Sequence, residues 1–339
     1  MALSRLLLPS NTRKTELPSA VLTRVFLARL GARTAPFALW SWIGLTCTAQ
    51  ETARIQVEVN LVNVAASVRD AQGRLVNDLT KDDFEILEEG TAQRIQLFAR
   101  NLDLPLTLGI VLDFSGSQGE YIKKHRRDLE VFLENVLGPR DQAFVVCFGN
   151  RLFLVSDLSN SPAQIQESLK RFEKGDRGFA RIDPDMIRTG GTAFYDAIYH
   201  GSQKLADVAG RKALVVFSDG EDNASAHHMI DAIEAAQSAG TLVYGLRYTH
   251  MEGNRQTARN IYGTRVMERL SRDTGGTDFD ADRMNLKAAF RQINEELRTL
   301  YELAFASTNP VRDGSFRKLQ VRVKRSGLVV RTKSGYYAK

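Results

Sequence analysis

Cysteine is nearly absent from this sequence, which contains only Cys47 and Cys147. Cys47 lies in the N-terminal leader described below, whereas Cys147 lies in the apolar stretch "AFVVCFGN", which predicts a buried strand. A mature chain without the leader therefore has no disulfide to form. We expect Cys147 to be a small core residue rather than a reactive thiol.

The sequence also lacks a membrane span of the usual length. The uncharged stretch "TAPFALWSWIGLTCTAQ" is broken by Pro36 and by polar residues, and a span needs about 20 apolar residues. It follows two arginines and ends in small residues, as a secretory signal does. Residues 1–50 are predicted to be an export signal, with an anchoring helix or a lipid anchor on Cys47 as alternatives. The protein is then secreted, periplasmic or at the cell surface, with no stable membrane span in the mature chain.

The excess of positive charge is confined to the leader. The whole chain has a formal net charge of +6, and residues 1–50 hold six basic residues against one acidic residue. The remaining chain is close to neutral, so it has no basic footprint for nucleic acid. No nucleic-acid partner is predicted.

The two ends of the chain outside the leader both show strand patterns. Residues 54–104 alternate apolar and polar residues between turn signals, which predicts a small N-terminal β unit. The basic, alternating stretch 316–337 predicts a hairpin that turns at Ser326-Gly327. Neither piece is large enough to be stable alone, so residues 301–339 are expected to complete the N-terminal β unit.

The middle of the chain, residues 105–300, has a different pattern. Continuous apolar runs such as "LTLGIVLDF", "QAFVVCF", "RLFLVS", "KALVVFS" and "GTLVYGLRY" alternate with amphipathic helical stretches. Strands that are apolar throughout are typical of a parallel sheet covered on both faces. The predicted fold class is α/β, with a doubly wound, mostly parallel sheet flanked by a small all-β domain built from both termini.

Oxygen-bearing side chains follow the predicted strands of this middle region. Asp113, Ser115 and Ser117 lie in "LDFSGSQG", and Asp219 lies in "FSDGEDN". Thr192 lies in "TGGTAFYDA", where it could cap a helix or reach a ligand. Ligands of doubly wound sheets gather at the carboxyl ends of the strands. We therefore expect these five side chains to converge on one sheet edge.

The chemistry of this set suits a hard cation. Mg²⁺ takes six oxygen ligands and usually keeps several waters, whereas softer metals prefer histidine or cysteine. Three hydroxyls and two carboxylates leave the coordination shell incomplete, so an acidic group of a partner could complete it. The predicted cofactor is Mg²⁺, with Mn²⁺ or Ca²⁺ as alternatives.

The motifs Asp-x-Ser-x-Ser, Gly-Gly-Thr and Ser-Asp-Gly, in this order, resemble the metal-ion-dependent adhesion site (MIDAS) of von Willebrand factor A domains. The resemblance covers about residues 104–300 and implies a Rossmann-like fold that binds proteins. It also implies that Ser115, Ser117 and Thr192 contact the metal. Asp113 and Asp219 would then supply negative charge directly or through water.

The flanking stretches "VNLVNVAASVRDAQGRLVNDLTKDDFEILEEG" and "LRTLYELAFAS" resemble exported Acidobacteria-type proteins with a related A domain (VWFA-related). The incomplete metal shell has no base, nucleophile or reducible centre beside it, so we expect an exported adhesion or protein-binding module without enzymatic activity. Its unknown protein partner is expected to present an acidic residue to the metal. One departure is the glycine- and charge-rich stretch "EKGDRGFARIDPDMIRTGG" before Thr192, which could overhang the metal and restrict access.

A serine hydrolase is the main alternative. Ser117, Asp219 and His250 occur in the order of an α/β-hydrolase triad, and Ser117 is close to a Gly-x-Ser-x-Gly pattern. The first glycine of that pattern is missing, however, and the triad leaves Asp113 and Thr192 without a role.

Two further alternatives are weaker. A phosphatase with Asp113 as nucleophile needs a second aspartate two residues later, where this chain has Ser115. His227-His228 could suggest a second metal, but adjacent residues on a helix point in different directions. A solvated helix start is the preferred interpretation of the two histidines.

Overall fold

The computed structural model of the protein describes residues 61–100, 103–183, 190–249 and 257–339. All of them belong to one compact unit, residues 57–339. The predicted export signal, Cys47 and His250 lie outside the described residues. None of the helices described is long and apolar enough to cross a membrane.

The described elements follow one another as alternating strands and helices, with strands alone at both ends. The strands are β1 (Leu61–Arg69), β2 (Phe84–Glu88), β3 (Thr91–Gln93), β4 (Ile95–Ala99), β5 (Leu106–Asp113), β6 (Gln142–Phe148), β7 (Leu152–Ser159), β8 (Ala180–Arg181), β9 (Arg211–Ser218), β10 (Leu242–Arg247), β11 (Asp278–Asp280), β12 (Tyr301–Ala306), β13 (Phe316–Val323), β14 (Val329–Thr332) and β15 (Gly335–Tyr337). The helices are α1 (Ile122–Val136), α2 (Pro162–Glu173), α3 (Phe194–Leu205), α4 (Met229–Ser238), α5 (Ala258–Thr274) and α6 (Leu286–Arg298).

The central sheet has seven strands in the order β11-β10-β9-β5-β6-β7-β8. The pairings from β11 to β6 are parallel, whereas β7 pairs antiparallel with both β6 and β8. The connection from β6 to β7 is too short for a parallel crossover, so these two strands form a hairpin. The predicted fold class, with a doubly wound and mostly parallel sheet, is confirmed.

Alternate residues of the central strands point into two separate cores, one on each face of the sheet. On β5, Leu108, Ile110 and Leu112 pack into a core with α1, α2 and α6. Val111 points the other way, into a core with α3, α4 and α5. Because helices cover both faces, every residue of β5 is buried, and Cys147 on β6 is likewise a buried free thiol.

Strands from both ends of the described chain build two further sheets, with the orders β14-β1-β12-β4 and β15-β13-β2-β3. Their apolar faces share a third core, which includes Val64 of the first sheet and Ile86 of the second. The expected hairpin over residues 316–337 is confirmed only in part. Its two ends pair, with Phe316 opposite Tyr337 in the antiparallel pair of β13 and β15. A turn does occur, with Gly327 at φ 76°, but β13 pairs with β2 and β14 pairs with β1. The two strands enter different sheets because each finds its hydrogen-bonding partner in the N-terminal segment.

A buried carboxylate joins the flanking sheets to the central unit. Glu296 of α6 is fully buried and accepts hydrogen bonds from Arg69 at 2.7 Å and Arg331 at 3.1 Å. Ser67 and Tyr244 donate to the same carboxylate, each at 3.2 Å. Strands β1, β10 and β14 are therefore held to helix α6 by one charged group.

Candidate metal site

The first part of the candidate site is the turn that follows β5. Asp113 is the last residue of that strand, and its Oδ1 accepts a hydrogen bond from the backbone N–H of Ser115 at 2.8 Å. An aspartate that bonds to the backbone two residues later forms a compact turn. A 3-10 turn, Gly116–Gln118, follows and carries Ser117.

The second part follows β9, the neighbour of β5 in the sheet. The Ser218 hydroxyl at the end of β9 donates to Asp113 Oδ2 at 2.6 Å. The Ser117 hydroxyl donates to Asp219 Oδ2 at 2.7 Å, and the Ser115 and Ser117 hydroxyl oxygens lie 3.2 Å apart. Four of the five predicted side chains thus lie together. They sit where the strand order reverses between β5 and β9, which is the position at which doubly wound sheets bind ligands.

Two glycines let helix α5 approach this edge closely. Gly220 has φ 81°, a conformation that favours glycine, and directly follows Asp219. A side chain on Gly263 of α5 would overlap the backbone of Asp219. The close contact holds the Asp219 loop between the sheet and α5.

Thr192 is fixed by a different set of contacts. Its backbone N–H donates to Asn223 Oδ1 at 2.7 Å, and its carbonyl accepts from the N–H groups of Asn223 and Ala224. The next residue, Ala193, donates to the Gly149 carbonyl at 2.7 Å in the turn after β6. Ala193 is the N-cap residue of α3, so the interpretation of Thr192 as the helix cap is wrong. Thr192 is 6% exposed, and no hydrogen bond among the described residues joins its hydroxyl to the other four side chains.

The site carries negative charge in a buried environment. Burial, and then the charge of Asp219, raise the pKa of Asp113 to about 7. Burial and the charge of Asp219 also raise the pKa of Glu221, although the guanidinium of Arg259 lies 2.6 Å from its carboxylate. Neighbouring buried carboxylates favour either protonation or the binding of a cation.

The oxygen spacing is compatible with magnesium. Ligands of Mg²⁺ lie about 2.1 Å from the ion, which places adjacent oxygens of an octahedron about 3 Å apart. The Ser115–Ser117 and Ser117–Asp219 oxygen separations of 3.2 and 2.7 Å bracket that value. The group of residues thus fits a small hard cation in chemistry and in spacing.

Three supporting residues were missed by sequence reasoning. Gln118 is fully buried, and its Nε2 donates to Asp219 Oδ2 at 2.9 Å and to the Tyr248 carbonyl at 3.3 Å. Ser218 orients Asp113, and Asn223 orients Thr192. Gln118 and Ser218 both lie inside the stretches that predicted the site, but their sequence positions do not indicate which side chains turn inward.

The geometry bears on the alternatives as well. The Ser117 hydroxyl donates directly to Asp219, and the third residue of the proposed triad, His250, is outside the described residues. His227 Nδ1 lies 2.7 Å from Asp196 Oδ1, while His228 is the N-cap residue of α4. No group of three His, Cys, Asp or Glu side chains in the described part of the chain is arranged to hold a metal.

No protein-family model and no curated protein sequence matches the chain. Among solved structures, an aerotolerance-related membrane protein of Bacteroides fragilis NCTC 9343 is 20% identical, with a TM-score of 0.41 over 57% of this chain and 98% of that chain. The conserved hypothetical protein BatB of Bacteroides thetaiotaomicron is also 20% identical, with a TM-score of 0.40 over 57% and 97%. The vWF domain of the type V pili tip protein Mfa5 of Porphyromonas gingivalis is 15% identical, with a TM-score of 0.26 over 35% and 39%.

The protein's own strand order and site define its class. It is a doubly wound α/β protein with a cluster of oxygen side chains at the switch point of its central sheet. Identities of 20% or less and TM-scores of 0.41 or less do not define a function. The function has to be inferred from the site.

Proposed function

We propose that the protein is an exported, divalent-metal-dependent protein-binding module of the von Willebrand factor A type. Ser115, Ser117 and Thr192 would contact Mg²⁺, and Asp113 and Asp219 would balance its charge. The observation that supports this proposal is the contact among four oxygen side chains at the carboxyl ends of β5 and β9. Mn²⁺ and Ca²⁺ share the preference for oxygen ligands.

A metal bound here would supply an electrophile with an incomplete shell, to which an acidic group of a protein partner could bind. The chain itself orients the ligands: Gln118 and Ser117 fix Asp219, and Ser218 fixes Asp113. These partners lock the carboxylates before any ligand arrives, which lowers the entropy lost on binding. We assign the binding activity to a domain of about residues 105–300, carried by a β domain of residues 54–104 and 301–339.

Calorimetric titration of the full chain with Mg²⁺ tests the metal site. We expect one saturable site in the wild type and at least tenfold weaker Mg²⁺ binding in Asp219→Ala. The control Asp82→Ala changes an exposed aspartate that is distant in sequence from the predicted ligands, and it should bind with wild-type affinity. Equal affinity in the wild type and Asp219→Ala would contradict the proposal.

Thr192 has a separate test, because its described hydrogen bonds are made by its backbone and none joins its hydroxyl to the other four side chains. Thr192→Ala should weaken Mg²⁺ binding, and Thr192→Ser, which keeps the hydroxyl, should restore it. If both variants bind as the wild type does, Thr192 is not a ligand.

The binding activity is tested by capture from a surface extract of the source cells on the immobilised chain. A partner that is retained with Mg²⁺, released by chelator and not retained by Asp219→Ala would support the proposal. Hydrolysis of simple esters that is lost in Ser117→Ala and unaffected by chelator would instead support the hydrolase.

A further inference from the structure

A cavity of about 680 Å³ lies at the opposite end of the central sheet from the candidate metal site. Its walls include Arg211 and Leu242, which begin β9 and β10, whereas the metal site follows the last residues of β5 and β9. Strand β1, the end of α4, the start of β12 and the C-terminal stretch from Lys333 to Lys339 also line it. Two flanking sheets and the central unit therefore all contribute to one cavity.

The lining of the cavity is strongly basic. Its charged side chains are one acidic residue, Glu302, and five basic residues: Arg211, Lys212, Arg312, Lys333 and Lys339. Several of these already have partners. The Arg211 guanidinium donates to the carbonyls of Leu297 and Leu300 and lies 3.7 Å from Glu302. Lys339 Nζ lies 2.5 Å from Glu234.

Lys333 differs from the other basic residues. It is partly buried, and no carboxylate among the described residues forms an ion pair with it. Its ammonium lies 6.0 Å from the centre of the Tyr336 ring, another residue of the wall. Burial lowers the pKa of Lys333 to about 8. A partly buried cation without a counter-ion is a favourable position for an anion to bind.

A second unsatisfied group lines the same cavity. Gln237 is 3% exposed, and its Nε2 donates to the Asp273 carbonyl at 2.7 Å. Its Oε1 is buried without a hydrogen-bond partner in the described part of the chain. Buried polar atoms of this kind are usually paired, so Gln237 Oε1 is an open acceptor that a donor group of a ligand or a water would satisfy and a carboxylate would not.

We propose that this cavity binds a small organic anion, with its carboxylate or phosphate group at Lys333 and its apolar part against Leu61, Val62 and Leu242. The volume is within the range of about 300–1,000 Å³ that is common for small-molecule sites. Apolar side chains line the cavity alongside the basic ones, so an anion with an apolar body fits better than an inorganic ion.

The test is calorimetric titration of the full chain with decanoate, decyl phosphate and the uncharged decanol. We expect saturable binding of at least one of the two anions and none of decanol. Lys333→Met should weaken the binding at least tenfold, whereas Lys324→Met, which changes an exposed lysine just after β13, should leave it unchanged.

A second variant separates loss of the cavity from loss of the fold. Asn63 is an exposed residue of β1 that lines the cavity, so Asn63→Trp should fill part of it without disturbing a core. We expect this variant to melt at the wild-type temperature and to bind the anions weakly. Equal anion affinity in Lys333→Met and the wild type, or no saturable binding of either anion, would overturn the proposal.

Discussion

The central sheet and the flanking sheets bury their apolar residues in different ways. Every residue of β5 in the central sheet is buried, whereas β13 in a flanking sheet alternates exposed and buried residues along most of its length. Helices on both faces leave the central strands no open surface, so polar chemistry is confined to their ends. The flanking sheets keep one face open to solvent and pack their other, apolar faces against each other.

The two regions also differ in how their polar groups are satisfied. At the carboxyl edge of the central sheet, hydroxyls and carboxylates contact one another and no basic side chain joins the five predicted residues by a described ion pair. In the flanking sheets, the buried carboxylate of Glu88 is neutralised by Arg317 at 3.2 Å and also accepts from Tyr336. The flanking network is complete without a ligand, and the central cluster is suited to receive a cation.

Deletion of residues 316–339 should produce the largest difference between the flanking sheets and the central sheet. The deletion removes β13, β14 and β15, so β1 and β2 each lose a hydrogen-bonded neighbour. Hydrogen exchange of residues 61–99 should accelerate by orders of magnitude, because exposed strand edges open locally. Mg²⁺ binding should persist, since no predicted metal ligand lies in the deleted segment.

Full protection of residues 61–99 in the truncated chain would show that the two flanks are independent of each other. Loss of Mg²⁺ binding together with that protection would show that residues 316–339 stabilise the central unit rather than residues 61–99.

A medium effect is expected at the junction of the two regions. Glu296→Gln leaves Arg69 and Arg331 without their shared charge, and breaking a fully buried pair costs about 3–5 kcal/mol. Because Arg331 is partly exposed, we expect the free energy of unfolding to fall by about 2–3 kcal/mol in urea titrations. Glu295→Gln, one residue earlier and exposed, should change it by less than about 0.5 kcal/mol. Equal effects of the two substitutions would contradict the role of Glu296 as the link.

A third effect, which we rank last because Lys333 is partly exposed to solvent, concerns pH. Burial lowers the pKa of Lys333 from 10.5 to about 8, so between these values the unfolded chain binds more protons than the folded chain. Stability should therefore rise with pH from about 8 to 10.5, and the part of this rise due to Lys333 should be absent in Lys333→Met. Stability curves at several pH values, compared with Lys324→Met, measure the difference. Parallel curves for all three proteins would show that Lys333 ionises as it does in the unfolded chain.

The sequence predicted the central unit well because its signals are local. Uninterrupted apolar strands such as "KALVVFS" require cover on both faces, and a polar residue directly after such a strand must lie at the sheet edge. This placed Asp113 and Asp219 near each other without knowledge of any contact. The chain direction and strand order then brought Ser115 and Ser117 between them.

The features that sequence reasoning missed depend on contacts between distant segments. Neither the separation of β13 and β14 into different sheets nor the Glu296 cluster has a local signature, since an alternating strand can pair with any open edge. Gln118 could not be recognised as a support of Asp219, because its role depends on where β9 ends. The cavity at Lys333 is formed by segments from three parts of the chain, so only the folded structure reveals it.

The pairing of β1 with β12 has a consequence for the order of events during synthesis. Leu61 is opposite Ala306 in this pair, so the partner strand is made more than 200 residues later. The flanking sheets cannot form until the last strands have left the ribosome, whereas the central unit needs only its own contiguous segment. Long-range pairing of this kind is slow. The nascent chain therefore carries β1 without a partner strand for most of its synthesis.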